Sequence, residues 1–303
     1  MAESKILLES GTNELEIVTF DVAGNTYGIN VAKVNKILPV QELSMVPKAS
    51  PCIKGIFQYM ERVVPLVSLE KYLNLGASET PEKNKIIVTQ FNGVFSAFDV
   101  HDVSRIHRIS WESVETPDAD SVTYNEAVTG VIRMGEKIIL LLDFEKIIYE
   151  ISPHHEMLSD NDSNDARFNS NVRSSKAVLI AEDSEMLRQV LENTLKKAGY
   201  TNLIKFTNGS DAWDYMDAIA NGNPDGLVVP ELVITDIEMP KMDGHRLTKL
   251  IRETKMFLEL PIIIFSSLIN EQMYDKGVSI GASEQISKPQ LLKLIHVLDE
   301  YLM

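Results

Sequence analysis

A chain of 303 residues, 44% hydrophobic and 24% charged, has the length of about two domains and enough apolar side chains to bury real cores. Its net charge of −15 repels polyanions, which argues against binding to nucleic acid or to an anionic membrane surface. The single cysteine, Cys52, excludes an intrachain disulfide; with no signal-like amino terminus and no apolar run of membrane-spanning length, a cytoplasmic protein without direct membrane insertion is expected.

From Leu15 the pattern alternates, with Val18, Phe20 and Val22 on one face and Thr19 and Asp21 on the other. Gly24-Asn25 is a turn signal, and Thr26 to Asn30 returns as the partner strand. A second hairpin runs from Ile86 to Phe91, turns at Asn92-Gly93 and returns from Val94 to Val100. Val31, Val34 and Ile37 follow the first hairpin at the spacing with which Val100, Val103 and Ile106 follow the second. A further pair of copies links Gly55-Ile56-Phe57 and Val63-Val64-Pro65-Leu66 to Gly130-Val131-Ile132 and Ile138-Ile139-Leu140-Leu141. Matched landmarks in the same order predict two repeated β subdomains, each a small barrel that closes its own edges. No nucleophile–base set occurs here: His101 and His107 read as structural histidines, His154-His155 as solvated ones, and this half as a binding module.

Residues 153–175 carry Ser-Asp-Asn-Asp-Ser-Asn-Asp from Ser159 to Asp165 and read as a flexible polar linker between domains at 1–152 and 176–303. Beyond Lys176 strands alternate with helices, the pattern of a doubly wound α/β sheet. Ala177 to Ile180, Leu232 to Thr235 and Pro261 to Phe265 are short apolar runs of the kind buried on both faces of a parallel sheet. They end in Glu182-Asp183, in Asp236 and in Ser266-Ser267; a further run ends in Lys288-Pro289. Parallel sheets collect ligands at the carboxyl ends of their strands. If these strands are neighbours, three carboxylates, a hydroxyl and an ammonium share one cleft, and the clustered carboxylates call for a hard cation such as Mg²⁺. Gly277-Val278-Ser279-Ile280-Gly281 matches the nucleophile-elbow pattern of esterases, which needs a strand before it and a helix after it. A helix from Asn270 to Lys276 precedes it instead, so that reading is rejected.

Glu182-Asp183, Asp236, Ser266 and Lys288-Pro289, each at a strand end, resemble the phospho-acceptor receiver domain of two-component signalling, a flavodoxin-like fold. The resemblance covers about Lys176 to Met303. It implies that Asp236 accepts a phosphoryl group from a histidine kinase and that Glu182, Asp183 and Asp236, with the main-chain carbonyl of Glu238, hold Mg²⁺. It further implies that Lys288 and Ser266 contact the phosphoryl oxygens and that the Lys288-Pro289 bond is cis. The aromatic residue usual three positions before the lysine is replaced by Gln285.

From about Glu14 to Ile151 the chain resembles the CheW-like adaptor fold, through its opening hairpin, Gly55-Ile56-Phe57 and Val63-Val64-Pro65-Leu66-Val67. It departs from that family in having Tyr59-Met60-Glu61 where Leu-Arg-Gly is usual, with Arg62 next to it, and Ser68 where Asp is frequent. An adaptor followed by a receiver, with Phe144 to Glu150 closing the first domain, is similar to the chemotaxis coupling proteins of the CheV type. That resemblance implies a non-enzymatic, phosphorylation-regulated scaffold linking chemoreceptors to the kinase CheA, recruited from the cytoplasm to membrane receptor arrays. Two other classes stay open beside it. One is an aspartyl-phosphate-forming phosphatase, whose haloacid-dehalogenase type wants Asp-x-Asp where this chain has Asp236-Ile237-Glu238. The other is a DNA-binding response regulator, disfavoured by the net charge.

Overall fold

The computed structural model describes residues 12–76, 80–91, 94–115, 127–151, 170–222, 226–269, 271–288 and 290–303. The chain divides into two compact units, Leu15–Glu156 and Met157–Met303, with Met1–Glu14 grouped with the second. His154-His155, the Asn92-Gly93 turn, the Ser159 to Asp165 run and Pro289 lie outside the described residues.

Among the described residues the first unit is β apart from two short α-helices and three single-turn 3-10 helices. In chain order it has β1 (Glu14–Val22), β2 (Asn25–Asn30), β3 (Val34–Pro39), β4 (Ile53–Tyr59), β5 (Arg62–Ser68), α1 (Leu69–Tyr72), β6 (Lys85–Phe91) and β7 (Val94–Val100). There follow β8 (Asp102–Ser110), β9 (Val114–Glu115), β10 (Val128–Met134), β11 (Lys137–Leu142) and α2 (Phe144–Ile151). The first turn sits one residue earlier than expected, at Ala23-Gly24, with φ of 52° and 77°; two positive values give the twist that a right-handed hairpin needs. The β4–β5 hairpin turns the same way through Met60 and Glu61, φ 46° and 61°, where no glycine relieves the strain.

Sequence repeats and sheets do not coincide. One sheet runs β8-β1-β2-β11-β10-β9 and the other β3-β6-β7-β5-β4. The opening hairpin β1–β2 therefore pairs, through the parallel contact of β2 with β11, with the closing hairpin of the other repeat. Symmetrically, β7 pairs in parallel with β5. Each sheet is built from both copies, so the two halves of this unit are interlocked. Phe57, Val64, Leu66, Ile86 and Val88 fill one sheet's core, and Ile17, Trp111, Ile132 and Ile139 the other's. A third core joins the two sheets: Phe20 of β1 and Phe98 of β7 both pack on Phe144 of α2, with ring centroids 5.8 and 4.1 Å away. Full burial of one such ring stabilises by about 1.5–3 kcal/mol. The repeats also cap their helices alike, Ser68 accepting from the amide of Lys71 in α1 and Asp143 from those of Glu145 and Lys146 in α2. His101 is structural, as expected. Its Nδ1 accepts the backbone N–H of Ala23 at 3.0 Å, which puts the proton on Nε2, 3.0 Å from Glu70 Oε2.

The second unit opens with α3 (Ser170–Ser175), a short helix in what composition marks as linker. Arg173 anchors it. The guanidinium donates to both carboxylate oxygens of Asp299 at 2.9 and 2.6 Å and to the carbonyl of Ala198 at 2.7 Å, and Tyr200 donates to the same carboxylate. After α3 come β12 (Ala177–Ala181), α4 (Glu185–Lys197), β13 (Asn202–Phe206), α5 (Gly209–Ala220), β14 (Leu232–Thr235) and α6 (Gly244–Glu253). The chain ends with β15 (Ile262–Ser266), α7 (Glu271–Ser279), β16 (Glu284–Ser287) and α8 (Leu291–Leu302). All strand pairs are parallel, in the order β13-β12-β14-β15-β16, the flavodoxin-like arrangement. Val178, Ile180, Ile234 and Ile263 face Leu191 and Leu195 of α4 and Leu294 and Leu298 of α8. Leu179, Ala181, Val233 and Ile262 face Ala212 and Met216 of α5 and Leu247 and Ile251 of α6. Burial on both faces is why these strands are continuous apolar runs rather than alternating ones. Gly277 and Ser279 lie inside α7, and Ser279 Oγ donates to the carbonyl of Lys276, so the elbow-like motif is a helix end.

Candidate functional site

The carboxyl ends of β12, β14, β15 and β16 place the expected side chains. Just past the strand, the amide of Asp236 still bonds the carbonyl of Ala181 at 2.9 Å, and that of Glu182 bonds Phe206 at 3.1 Å, so both acids inherit the rigidity of the sheet. The loop after Asp236 folds back tightly. The amide of Gly244 bonds the carbonyl of Ile237, and a Cβ at 244 would stand 1.8 Å from the carbonyl oxygen of Asp236. Only glycine fits, and the Asp243 carboxylate then caps α6 by accepting from the amide of Arg246 at 2.6 Å.

Glu182, Asp183 and Asp236 each offer a carboxylate oxygen within 4.8 Å of the others. Lys288 reaches into the group, its Nζ 2.8 Å from Glu182 Oε2 and 3.0 Å from Asp236 Oδ2. Glu182, Asp236 and Lys288 are buried, while Asp183 is half-exposed. Burial pushes the Glu182 carboxyl up to about 7; Lys288 pulls it down and the charge of Asp236 adds to the rise. One ammonium does not balance three acids brought this close, and a divalent cation would relieve the excess. The donors are all hard oxygens and one of them borders solvent, which suits Mg²⁺ with its retained waters.

Ser266, buried, ends β15; its hydroxyl accepts from the amide of Leu268 at 3.3 Å and its carbonyl accepts from the amide of Lys288 at 3.2 Å. Glu238, half-buried two residues past Asp236, contributes no side chain to the three-carboxylate group. Gln285 points inward and is 5% exposed. One participant escapes sequence reasoning: Arg188 of α4 donates to the carbonyls of Glu182 at 2.7 Å and Asp183 at 3.2 Å, tying down the loop that carries both acids. An arginine one turn into an amphipathic helix gives no sequence signal of that kind.

Two family models match, the CheW-like domain over residues 16–152 and the response regulator receiver domain over residues 178–299. Over 289 residues the chain is 30% identical to chemotaxis protein CheV3 of Helicobacter pylori, across 91% of each chain. The chain belongs to the CheV family. Chemotaxis protein CheV2 of the same organism is 26% identical over 289 residues, 91% of this chain and 90% of that one. Among solved structures, the scaffolding protein TtCheW from Thermoanaerobacter tengcongensis is 23% identical over 43% of this chain and 88% of its own, with a TM-score of 0.40. As a CheV-family chain, it joins a CheW-like adaptor to a response-regulator receiver in chemotaxis signalling, and it is not a classical enzyme. Among the described residues no helix is long and apolar enough to cross a membrane.

Proposed function

We propose that this CheV-family chain is a phosphorylation-regulated coupling protein. Its β unit docks on chemoreceptors and on the histidine kinase CheA at membrane arrays, and its receiver takes a phosphoryl group from the kinase on Asp236. Coupling is thereby tuned, as adaptation or as a phosphate sink. The observation that carries the reading is the ammonium of Lys288 held 3.0 Å from Asp236 Oδ2 and 2.8 Å from Glu182 Oε2, beside Asp183.

In the proposed transfer a carboxylate oxygen of Asp236 attacks phosphorus, and the bond from phosphorus to the donor histidine nitrogen breaks. Mg²⁺, held by Glu182, Asp183, Asp236 and the main-chain carbonyl of Glu238, would supply neutralisation of the phosphoryl oxygens. Lys288, freed from Asp236 Oδ2, follows the negative charge onto a phosphoryl oxygen. The Ser266 hydroxyl, which accepts from the Leu268 amide, donates to another, which draws its loop toward Asp236. Little covalent chemistry is asked of the protein; positioning and charge do most of the work.

Docking by the β unit draws support from its exposed apolar side chains. Met60 and Val63, each 68% exposed, flank Arg62 on the β4–β5 hairpin, and Met45 is 80% exposed. A strained turn that presents a bare methionine is costly to keep unless a partner uses it.

The test is label transfer from phosphorylated CheA to the full chain and to Asp236→Asn. Loss of label with receptor and kinase co-sedimentation intact is the expected result. Label retained by the variant refutes the role given to Asp236, and failure of the wild-type chain to sediment with receptors and kinase refutes the coupling role.

A further inference from the structure

Asn13 immediately precedes β1 in the chain, yet it belongs to the second unit. It is 7% exposed, and its amide is paired at both ends. Nδ2 donates to the carbonyl of Lys241 at 2.9 Å, and Oδ1 accepts from the amide of Asp243, 230 residues away, at 3.0 Å. A side-chain amide has a donor side and an acceptor side, as a peptide group does, so Asn13 bonds the backbone of 241–243 much as a neighbouring strand would. Its own φ is 60°, a left-handed value that asparagine adopts more readily than most residues with a Cβ.

The stretch so held belongs to the loop that follows Asp236. The near end of that loop is fixed by the sheet. Its far end carries Lys241, whose φ of 64° has no glycine to ease it, and Asp243, whose carboxylate caps α6. A Cβ at Gly209, the first residue of α5, would stand 2.5 Å from the carbonyl oxygen of Met242, so α5 rests on the same stretch backbone to backbone. Without Asn13 the buried amide of Asp243 and the carbonyl of Lys241 lose these partners, in a stretch already strained at 241. Lys241 is three residues past Glu238, whose main-chain carbonyl belongs to the expected Mg²⁺ set. A shift of this stretch therefore moves a metal ligand and the backbone that leads back to Asp236.

We infer that Asn13 is a positioning residue of the acid cluster: from a segment ahead of β1 it clamps the loop between Asp236 and α6 in the conformation that receives Mg²⁺ and a phosphoryl group. The inference rests on Asp236 as the phosphoryl acceptor for the ligand it serves, though not for the clamp itself. Coupling between two sites is reciprocal, so a ligand on the cluster also tightens the hold of the loop on Asn13.

The test compares the full chain as wild type, Asn13→Gly and Asn13→Ala. Each variant deletes both hydrogen bonds; glycine accepts the positive φ freely, whereas alanine adds left-handed strain. Calorimetric titration with Mg²⁺ and the fluorine resonance of beryllofluoride bound in its presence give the affinities. Hydrogen exchange of peptides covering residues 240–246 reads the loop, and that of β12 reads the fold. Both variants are expected to bind Mg²⁺ and beryllofluoride about 5-fold or more weakly than wild type, and to the same extent as each other. Residues 240–246 are expected to exchange faster at rest in both, with β12 unchanged, and to gain less protection from beryllofluoride than in the wild type. Wild-type affinity in Asn13→Gly, or a loss confined to Asn13→Ala, overturns the positioning role, and unchanged resting exchange of 240–246 overturns the clamp. Loss of β12 protection in both variants marks Asn13 as a stability element and overturns the positioning role as well. If the wild type lacks the fluorine resonance, the reading of Asp236 fails, and the Mg²⁺ titration with the resting exchange still decides the role of Asn13.

Discussion

Lys288 Nζ lies 2.8 Å from Glu182 and 3.0 Å from Asp236, bridging the ends of β12 and β14 from the far edge of the sheet. An ammonium so placed screens two buried acids, and under the proposed function it would also follow the phosphoryl group. Lys288→Met removes both services while keeping much of the volume. We expect phosphoryl transfer from CheA to slow by about 100-fold, the usual loss on deleting one donor to a developing oxyanion. Mg²⁺ affinity should hold or rise, since its ligands lose a competitor. Single-turnover label transfer and calorimetric titration with Mg²⁺ read the two effects separately.

Arg188 touches neither the expected metal nor the phosphoryl group; it holds the carbonyls of Glu182 and Asp183. It is a positioning residue, comparable to the outer partners that orient metal ligands elsewhere. Arg188→Ala should lower Mg²⁺ affinity by about 10- to 100-fold while the metal-free melting temperature changes little. A large fall in the metal-free melting temperature would mark the arginine as a stability element instead.

The acid cluster was legible because each member follows a strand whose two-sided burial writes a recognisable apolar run. Asp236 needs Leu232–Thr235 before it and Gly244 after it, and both are plain in the sequence. The exchange of hairpins between the β sheets was not. Alternation tells which face of β1 is buried, but nothing in Val18, Phe20 or Val22 says that β2 will pair with β11. The short α3 was hidden for a different reason. Its surroundings have the composition of a linker, and its anchor is a single arginine whose partner, Asp299, stands 126 residues away. Gln285 could be seen to depart from the receiver pattern, but its bond to the Tyr274 carbonyl depends on how α7 approaches the sheet.

Met60 and Glu61 occupy left-handed backbone at the tip of β4–β5. Glu61→Gly relieves a strain of about 1–2 kcal/mol and costs the extra chain entropy of glycine, about 0.5–1 kcal/mol. A net gain of up to about 1.5 kcal/mol in denaturant unfolding of the β unit is therefore expected. If the strained turn serves docking, the stabilised variant should bind receptor and kinase more weakly than wild type. Co-sedimentation measures that loss.

His245 adds to the acid sensitivity of the receiver. Burial, aided by Lys276, lowers its pKa from 6.5 to about 3, so the folded chain keeps it neutral where the unfolded chain protonates it. The unfolded state then binds the extra proton, and stability falls as pH drops from 6.5 toward 3, approaching about 1.4 kcal/mol per pH unit. Glu182 acts in the opposite direction. Its raised pKa makes the folded chain hold a proton that the unfolded one releases, so its contribution grows as pH falls below about 7. Because Glu182 is common to wild type and His245→Leu, the difference between their unfolding free energies isolates the histidine. That difference should widen in favour of the leucine variant as pH is lowered from 6.5 to 5. A constant difference across the range would mean that the folded chain protonates His245 as readily as the unfolded one does.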